Sequence, residues 1–445
     1  MRDSVSMAVS NAGAGTRPSS ALRAPSPREQ GEGSTLDIAV IGGGIVGICV
    51  AAQLAETGRQ VTVIDRTGIC EETSSGNAAA LAFSDILPLA HKGMMANVPK
   101  WLADPLGPLS IPPGYFPKLV PWLYRFWRAG NFKKFEASLA AQASMMKLAE
   151  CEWMALMERS GTLPMLREDG SLELYEGDAE FQASLPGWAA RDRFGIGYRH
   201  LDRAELSGYQ PGLSDRFTAA TFVPGWKTVS DPKDFGKAIW AHAERQGAGF
   251  VHGDVGLILP RGDTVAIQLR QGRTLSARHL VIAAGAWSHL LARQLGEKIP
   301  LETERGYNTT LPPGAFDIKR QLIFSGHGFV VTPLATGIRV GGAVELGGIH
   351  RPPNYARSKA MLEKAKQFLP GLKTGGGREW MGYRPSLPDS LPVIGRSKRN
   401  ANILYAFGHG HLGLTQSAAT GSLVRDLVLD QAPAIDLSPF SPQRF

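Results

Sequence analysis

The chain is 445 residues long, which exceeds what a single hydrophobic core usually fills, so two domains are expected. With 43% hydrophobic and 20% charged residues, the composition is that of an ordinary globular protein. The formal net charge of +8 favours anionic partners such as dinucleotides, carboxylates or acidic lipid. Nucleic-acid binding is disfavoured, because the longest basic cluster, Arg396–Arg399, has no accompanying binding motif.

Cysteine content and the first residues bear on cellular location. Cys49, Cys70 and Cys151 are too few and too scattered for a disulfide framework or a metal site, which favours a reducing, cytoplasmic compartment. Residues 1–35 are rich in Ser, Ala, Gly and Pro and lack the apolar core of a secretory signal, so we expect a disordered extension. No apolar run in the sequence approaches the roughly 18 residues of a membrane-spanning helix.

A glycine loop follows the first predicted strand. IAVI is a β-branched run suited to a buried parallel strand, and IGGGIVG then places Gly42, Gly44 and Gly47 in the pattern G-x-G-x-x-G. Gly42 permits a tight turn, Gly44 lets backbone amides approach a phosphate, and Gly47 lets the next helix pack closely on the strand. A second strand, VTVI, ends in Asp65, whose carboxylate is expected at a ribose hydroxyl and would repel the additional phosphate of NADP. This order predicts a dinucleotide site.

The loop alone does not separate NAD from FAD, but later segments bear on the choice. No third parallel strand follows Asp65, as a plain NAD domain would require. Small and hydroxyl residues from Thr73 to Asn77 instead predict a loop whose backbone can approach a flat ring. LVIAAGAWS, Leu280–Ser288, is a buried strand that ends in small residues. Near the C-terminus a strand and a glycine turn precede a helix that begins near Leu414, which predicts a second helix N-terminus at an anion site.

The middle of the chain predicts a second domain. A helix is expected over Ala137–Arg159, and short alternating strands from GSLELYEG to GIRVGGAVEL predict a large antiparallel sheet. Between them, PKDFGKAIWAHAERQGAGF predicts a helix that leads into another strand of the nucleotide domain, so the chain is expected to leave that domain and re-enter it. Trp101–Phe135 is dense in Pro and aromatics, with five basic residues and one acid, and is either a packing element or a peripheral membrane contact.

Four blocks together resemble the FAD-dependent D-amino-acid oxidase superfamily, and especially its bacterial D-amino-acid dehydrogenase branch. They are IGGGIVG with VTVIDR, ETSSGNAA, LVIAAGAWS, and GYRPSLPDSLPVIG followed by FGHGHLGLTQSAATG. The resemblance implies an α/β plus α+β fold, in which a glutathione-reductase-like FAD-binding domain of the βαβ Rossmann type is interleaved with a substrate domain built on a mainly antiparallel sheet. It assigns residues 36–95, 228–300 and 376–432 to the FAD-binding domain and residues 96–227 and 301–375 to the substrate domain.

The same resemblance implies which residues hold the FAD, without a covalent bond, since no cysteine falls in the C-terminal block. At the pyrophosphate, ribose and adenine, the implied contacts are Gly42, Gly44, Ile45, Val46, Gly47, Asp65, Arg66 and Val255. At the isoalloxazine and the middle of the cofactor, they are Thr73, Ser74, Ser75, Gly76, Asn77, Ala284 and Gly285. Around the pyrimidine edge, they are Gly408, His409, Gly410, Leu412, Gly413, Leu414 and Thr415.

The resemblance also assigns a substrate-binding residue. Arg384, in GYRP, matches the family position at which an arginine binds the substrate carboxylate, because a planar guanidinium pairs with both oxygens. Tyr307 and His327 are candidates to orient the substrate, although a structural hydrogen bond explains either residue equally well. His409 and His411 are not expected to act as bases, since a neutral amine needs none. His411 departs from the branch, as does SSGN, and both departures leave the substrate open.

The leading functional hypothesis is oxidation of a D-amino acid or a cyclic D-imino acid of the D-proline type, with hydride passing from Cα to the flavin and an imine or 2-oxo acid as product. One alternative is a glycine or sarcosine oxidase or dehydrogenase, and another is a flavin-binding subunit of a larger oxidoreductase complex. By resemblance, the electron acceptor is a quinone or another carrier rather than oxygen. Peripheral contact with the inner face of the cytoplasmic membrane and partner subunits remain open.

Overall fold

The computed structural model describes residues 35–90 and 107–445, and the statements below concern those two ranges. The predicted extension, apart from its last residue, and residues 101–106 of the aromatic segment lie outside them. Within these ranges the chain forms two large β-sheets and one small sheet, with helices on both faces of the first large sheet. The small sheet consists of β3 (Ala80–Leu81), β5 (Leu166–Arg167) and β9 (Lys227–Val229).

The first sheet carries the glycine loop. Its parallel part runs β10-β2-β1-β13-β20, and β13 also pairs with an antiparallel hairpin along its first half. Val, Ile and Ala dominate these strands because a hydrophobic core, with residues from both strands and helices, covers each face of the sheet. The strands are β1 (Thr35–Ile41), β2 (Val61–Asp65), β10 (Gly249–His252), β11 (Val255–Arg261), β12 (Thr264–Leu269), β13 (Thr274–Ile282), β19 (Val393–Arg396) and β20 (Ile403–Phe407).

The second sheet has the order β18-β14-β17-β16-β15-β6-β8-β7, with β4 beside β17. Its pairs are antiparallel except β15 with β6 and β17 with β4. The strands are β4 (Leu109–Ser110), β6 (Ser171–Tyr175), β7 (Arg199–Asp202), β8 (Ala219–Val223), β14 (Glu302–Leu311), β15 (Gln321–Phe324), β16 (Phe329–Leu334), β17 (Gly337–Leu346) and β18 (Arg378–Ser386).

Helices cover the sheets and close the cores. Two of them, α1 and α9, lie side by side on the first sheet and contact each other closely. A Cβ atom on Gly421 of α9 would lie 2.8 Å from the carbonyl oxygen of Cys49 on α1. The helices are α1 (Ile45–Ala55), α2 (Phe116–Ala129), α3 (Phe132–Ser160), α4 (Asp178–Asp192), α5 (Arg203–Tyr209), α6 (Pro232–Arg245), α7 (Ser288–Gln294), α8 (Ala356–Phe368) and α9 (Gly413–Val428).

The fold class predicted from the sequence is confirmed, with differences of detail. β11 and β12 do not join the second sheet, because they fold back as a hairpin on β13. β18 pairs along its length with β14, so the boundary predicted at residue 376 falls one strand before the chain returns to the first sheet. α2 was not predicted as a helix, because Pro117 and Pro121 lie within its sequence; Pro117 is in the first turn, where no amide partner is needed.

The contact between α1 and α9 gives a stability test. Gly421→Ala places a methyl group against the α1 backbone, and we expect the free energy of unfolding to fall by about 1–3 kcal/mol. The matched control is Gly208→Ala in α5, where a Cβ meets nothing within 4 Å and alanine favours the helix. Urea unfolding of the FAD-saturated protein measures both, and equal stability of the two variants would contradict the packing described.

Candidate active site

One cavity of about 940 Å³ lies between the first sheet and the second. Its volume is close to the upper end of the usual range for ligand pockets. Its wall contains the glycine loop, the residues after β2 and β13, the start of α9, and one face of the second sheet. All predicted cofactor residues line it except Gly47, Ser75 and Gly408. The four sequence blocks, spread between Ile41 and Gly421, therefore meet at one cavity.

The glycine loop joins β1 to α1 at one end of the cavity. Gly42 has a φ of +116°, and a Cβ atom there would collide with the carbonyl oxygen of Ala283 at the end of β13. Gly47 lies behind the wall, and a Cβ atom would collide with the carbonyl oxygen of Gly42, so its role is close packing of helix on strand. Because α1 begins at Ile45, which lines the cavity, the helix N-terminus brings its positive potential to the wall.

Asp65 lies beside this loop at the end of β2. Its Oδ2 accepts the amide of Gly43 at 2.7 Å, and its Oδ1 accepts the amides of Thr67 and Gly68. A carboxylate offers about four acceptor positions, so Oδ2 retains capacity for a hydroxyl in the cavity. Arg66 follows and lies 3.9 Å over the ring of Trp287, while it pairs with Glu72.

The hydroxyl-rich loop is tied to both sheets. Ser74 Oγ accepts the amide of Ile45 at 2.9 Å, which joins this loop to the start of α1. From the second sheet, Asn308 donates to the carbonyl of Gly76 at 2.7 Å, and Arg339 donates to the carbonyl of Asn77 at 2.6 Å. Ser75 points away, and its Oγ donates to the carbonyl of Glu72. Thr73 Oγ1 donates to the carbonyl of Tyr383. These bonds fix the loop across the interface between the sheets.

The C-terminal block brings a second helix N-terminus to the same cavity. α9 begins at Gly413, and Leu412, Leu414 and Thr415 line the wall beside it. Trp153 of α3 donates to the carbonyls of Leu414 and Thr415, at 2.9 and 3.0 Å, which holds the first turn. Gly408 and Gly410 take positive φ angles of 88° and 55°. Gly408 lies against Leu387, outside the main cavity.

His409 is buried behind the loop as a neutral side chain. Thr420 donates its hydroxyl hydrogen to the carbonyl of Gln416, so its oxygen accepts from His409 Nε2–H at 2.9 Å. Burial lowers the pKa of His409 to about 3. The ring therefore supports the loop rather than acting as an acid or base near neutral pH. His411 also lines the cavity, and its ring lies 3.2 Å from the carboxylate of Asp85.

Arg384 lies on the face of β18 that forms the cavity wall. Its guanidinium crosses over Gly306 of β14, where a Cβ atom would lie 2.5 Å from it, and donates to the carbonyl of Ala343 on β17 at 3.1 Å. Burial lowers the pKa of Arg384, with the nearby Glu304 acting in the opposite sense. No carboxylate of residues 35–90 or 107–445 forms an ion pair with it within 4.0 Å. A half-buried cation on a cavity wall, without an ion-pair partner, favours an anionic ligand.

The other two substrate candidates are differently placed. Tyr307 contributes to the wall, but its hydroxyl donates to Glu345 and accepts the amide of Asn354, on the side of the sheet away from Arg384. Burial raises the pKa of Tyr307 to about 12. His327 does not line the cavity: its ring lies 2.9 Å from Glu176 and packs on Phe368. Both side chains therefore form structural hydrogen bonds, which was the alternative to a role in orienting the substrate.

Two residues of the cavity wall, Asn308 and Trp380, were not among the site residues predicted from the sequence. Asn308 and Trp380 are paired across β14 and β18, on the same face as the pair Glu304 and Arg384. Trp380 covers Gly76, where a Cβ atom would collide with the indole ring. The strand alternation in EWMGYR could have predicted Trp380, because residues two and four positions before Arg384 lie on the same face of the strand as Arg384.

The cysteines lie away from the cavity. Cys70 follows the second strand of the nucleotide fold, but its thiol packs against Gly236 of α6, and burial raises its pKa to about 12. Cys49 is buried in α1 and Cys151 is exposed. This geometry agrees with an FAD held without a covalent bond.

Comparisons with known proteins agree with the geometry. The family model described as FAD dependent oxidoreductase, DAO, matches residues 37–427. The chain belongs to this family. It is 33% identical, over 92% of its length and 98% of the other's, to a D-amino-acid oxidase of Bradyrhizobium diazoefficiens. It is 30% identical to a D-amino acid dehydrogenase of Rhizobium rhizogenes, over 92% of this chain and 100% of that protein.

Solved structures show the same fold as this DAO-family chain. Glycine oxidase from Geobacillus kaustophilus superimposes with a TM-score of 0.72 at 24% identity, over 92% of this chain and 98% of the other. L-proline dehydrogenase from P. horikoshii gives 0.71 at 22% identity, over 93% and 98%. At these identities the likeness concerns the fold alone.

The cavity fits the FAD that the family name implies. Two helix N-termini offer positive potential to anionic groups, and Asp65 offers an acceptor to a ribose hydroxyl. FAD, when bound, supplies the acceptor of a hydride. The residues of this chain supply the cavity and the guanidinium of Arg384.

The neutral state of His409 predicts a dependence of stability on pH. Its pKa is about 6.5 unfolded and about 3 folded, so only the unfolded state binds a proton between these values. The free energy of unfolding therefore falls as pH falls through 6.5, by up to about 1.4 kcal/mol per pH unit from this residue. His409→Gln, which can still donate to Thr420, should show a shallower slope in urea unfolding with excess FAD.

The control for this test is His252→Gln, which changes an exposed histidine on β10. We expect it to keep the wild-type slope between pH 7 and pH 5. Parallel slopes for wild type and His409→Gln would contradict the buried neutral state.

Proposed function

We propose that this protein oxidises the Cα–N bond of a D-amino acid or a cyclic D-imino acid, with hydride transfer to FAD and an imine as the immediate product. The observation that carries the proposal is Arg384, a half-buried cation on the wall of the cavity that fits FAD, whose guanidinium crosses Gly306 and donates to the carbonyl of Ala343. The names of relatives of which 98–100% is covered support D-amino acids as the substrate class. An acyclic imine then hydrolyses to a 2-oxo acid and ammonia.

In this proposal Arg384 binds the substrate carboxylate through a planar fork. The guanidinium lies across the strand next to its own, with one nitrogen bonded to Ala343 and no carboxylate of the described residues as an ion-pair partner. Two further donors on one edge match two carboxylate oxygens. Fixing the carboxylate restricts Cα to one position, and a restricted position is what hydride transfer requires.

The substrate panel for this test contains D-, L-, cyclic and N-methyl amino acids, mixed anaerobically with the FAD-bound protein. Loss of the flavin absorbance with D-amino acids is the expected result. Loss with glycine or sarcosine but not D-amino acids would favour the alternative substrate class. Loss with none of them, despite bound FAD, would overturn the proposal, and turnover only with a co-purified second chain would favour a subunit of a complex.

Carboxylate binding by two parallel donors of Arg384 predicts a loss of catalytic efficiency when this residue is replaced by Lys. Arg384→Lys keeps the charge but not the two parallel donors, and we expect kcat/KM for the best D-amino acid to fall by about 10–100-fold. Arg378→Lys, an exposed position on the same strand, is the matched control and should stay at the wild-type value. Steady-state assays with an artificial dye as acceptor measure both variants. An Arg384→Lys enzyme of wild-type efficiency would rule out carboxylate binding by the fork.

We further propose that α2 makes a peripheral contact with the membrane, where a quinone or another carrier collects the electrons. None of the described helices has the length and apolar character needed to cross a bilayer. α2 and the next turn instead expose five large apolar side chains, with fractional exposures from 46 to 70%: Phe116, Val120, Tyr124, Trp127 and Phe132.

Charge supports the same proposal. Residues 107–135 contain no acidic side chain, and the five basic ones are exposed: Lys118, Arg125, Arg128, Lys133 and Lys134. Leu119 and Trp122 face inward and pack with Leu346, which attaches the helix to the second sheet. Aromatic and basic side chains together on a surface helix suit the headgroup region of an anionic bilayer.

Vesicle sedimentation tests this contact. Wild-type protein should co-sediment with vesicles that contain phosphatidylserine and less with pure phosphatidylcholine. Changing Tyr124, Trp127 and Phe132 to Ser should abolish the binding. The matched control changes three exposed apolar residues elsewhere, Leu163, Phe194 and Leu259, to Ser. Binding that survives the first triple change, or is lost equally in both, would contradict the proposed contact.

A further inference from the structure

The cavity continues from Arg384 across the second sheet to a carboxylate on β6. Glu173 lies in the wall and is paired in register with Ile323 of β15, which is paired with Val330 of β16. Val330 is paired with Gly341 of β17, and Gly341 with Asn308 of β14. Paired residues share a face of a sheet, and all five line the cavity. Glu173 and Arg384 therefore belong to one continuous wall.

The spacing between the two charged groups suits one extended substrate. The guanidinium of Arg384 reaches over β14 to the carbonyl of Ala343 on β17. From β17 to β6 there are three strand spacings, which is about 14 Å between backbones. The side chain of Glu173 extends from its strand on the same face and shortens this gap. A carboxylate held at Arg384 thus leaves room for a long substrate side chain that points to β6.

The partners of Glu173 are few for a carboxylate in an enclosed site. Ser325 donates to its Oε1 at 2.8 Å. No Lys, Arg or His of residues 35–90 or 107–445 forms an ion pair with it within 4.0 Å. Burial raises the pKa of Glu173, as do the nearby Asp85 and Glu180, while Arg191 acts in the opposite sense.

The neighbouring carboxylate, Asp85, shows the contrast. It lies 3.6 Å from the guanidinium of Arg191 and 3.2 Å from His411. Arg191 is further engaged by the carbonyl of Ser84 and by the ring of Trp188. Arg191, the cation that acts on Glu173, is therefore already paired with another carboxylate. Glu173 is a wall carboxylate on β6 that an incoming cation can neutralise.

We propose that Glu173 recognises an amine or guanidinium at the end of the substrate side chain, so that basic acyclic D-amino acids are the preferred substrates. The inference rests on the proposed function, since it requires the substrate carboxylate at Arg384. It narrows that function from D-amino acids in general to those that carry a second positive charge beyond the α-amine. Asp85 and His411 also line the cavity, and His411 is one of the positions at which this sequence departs from the related branch.

The experiment compares D-lysine with D-norleucine, which lacks only the terminal amine. We measure the ratio of their kcat/KM values at pH 7 with a dye acceptor. A wild-type ratio of at least 10 is expected, and Glu173→Gln should lower that ratio by at least 10-fold. The matched control is Glu363→Gln, which removes an exposed carboxylate on α8 that does not line the cavity. This control should keep the wild-type ratio.

The outcomes separate the inference from the function it rests on. If both substrates reduce the flavin with equal efficiency, or if Glu173→Gln keeps the wild-type ratio, the side-chain site is wrong while the proposed function stands. If no D-amino acid reduces the bound flavin, the proposed function fails and this inference fails with it. Retention of bound FAD and of the wild-type circular dichroism spectrum by Glu173→Gln distinguishes loss of recognition from loss of folding.

Discussion

The half-buried guanidinium of Arg384 is held in the cavity wall without an ion-pair partner among the described residues, and the structure around it accommodates that arrangement. Burial of a cation is unfavourable unless an anion or several acceptors compensate it. Here one backbone carbonyl, that of Ala343, does so in part. Gly306 on the adjacent strand leaves the space in which the planar group lies, since any side chain at this position would displace it. The remaining stabilisation is available to a substrate carboxylate.

The guanidinium can place a substrate next to the cofactor because the predicted cofactor-binding loop is hydrogen-bonded to the same sheet. Asn308 and Arg339, from the second sheet, bond to the carbonyls of Gly76 and Asn77 in the loop that lies between the sheets. Burial lowers the pKa of Arg339 to about 10, and its two hydrogen bonds hold it in place. Trp153 holds the first turn of α9 from the opposite side. The two helix N-termini and the substrate wall are thus parts of one assembly.

The sequence predicted what local patterns determine. Glycine spacing, the alternating strands and the position of Asp65 are local, and the structure has a nucleotide fold of the predicted class around them. It predicted less where pairing partners are distant. The hairpin β11–β12 has the same alternation as the strands of the second sheet, so alternation alone does not separate the two sheets; the family resemblance placed it within residues 228–300 of the FAD-binding domain, and it pairs with β13 of the first sheet. Likewise, Tyr307 and Asn308 are adjacent in RGYN, and the strand register decides which of them faces Arg384.

The most direct test of this account is a crystal structure of the protein with bound FAD and an unreactive carboxylate, such as benzoate. We expect FAD along the cavity from Asp65 to the start of α9, with both carboxylate oxygens about 2.7–2.9 Å from nitrogens of Arg384. A carboxylate bound elsewhere, with Arg384 paired to a protein side chain, would contradict the central claim. So would a dinucleotide bound outside this cavity.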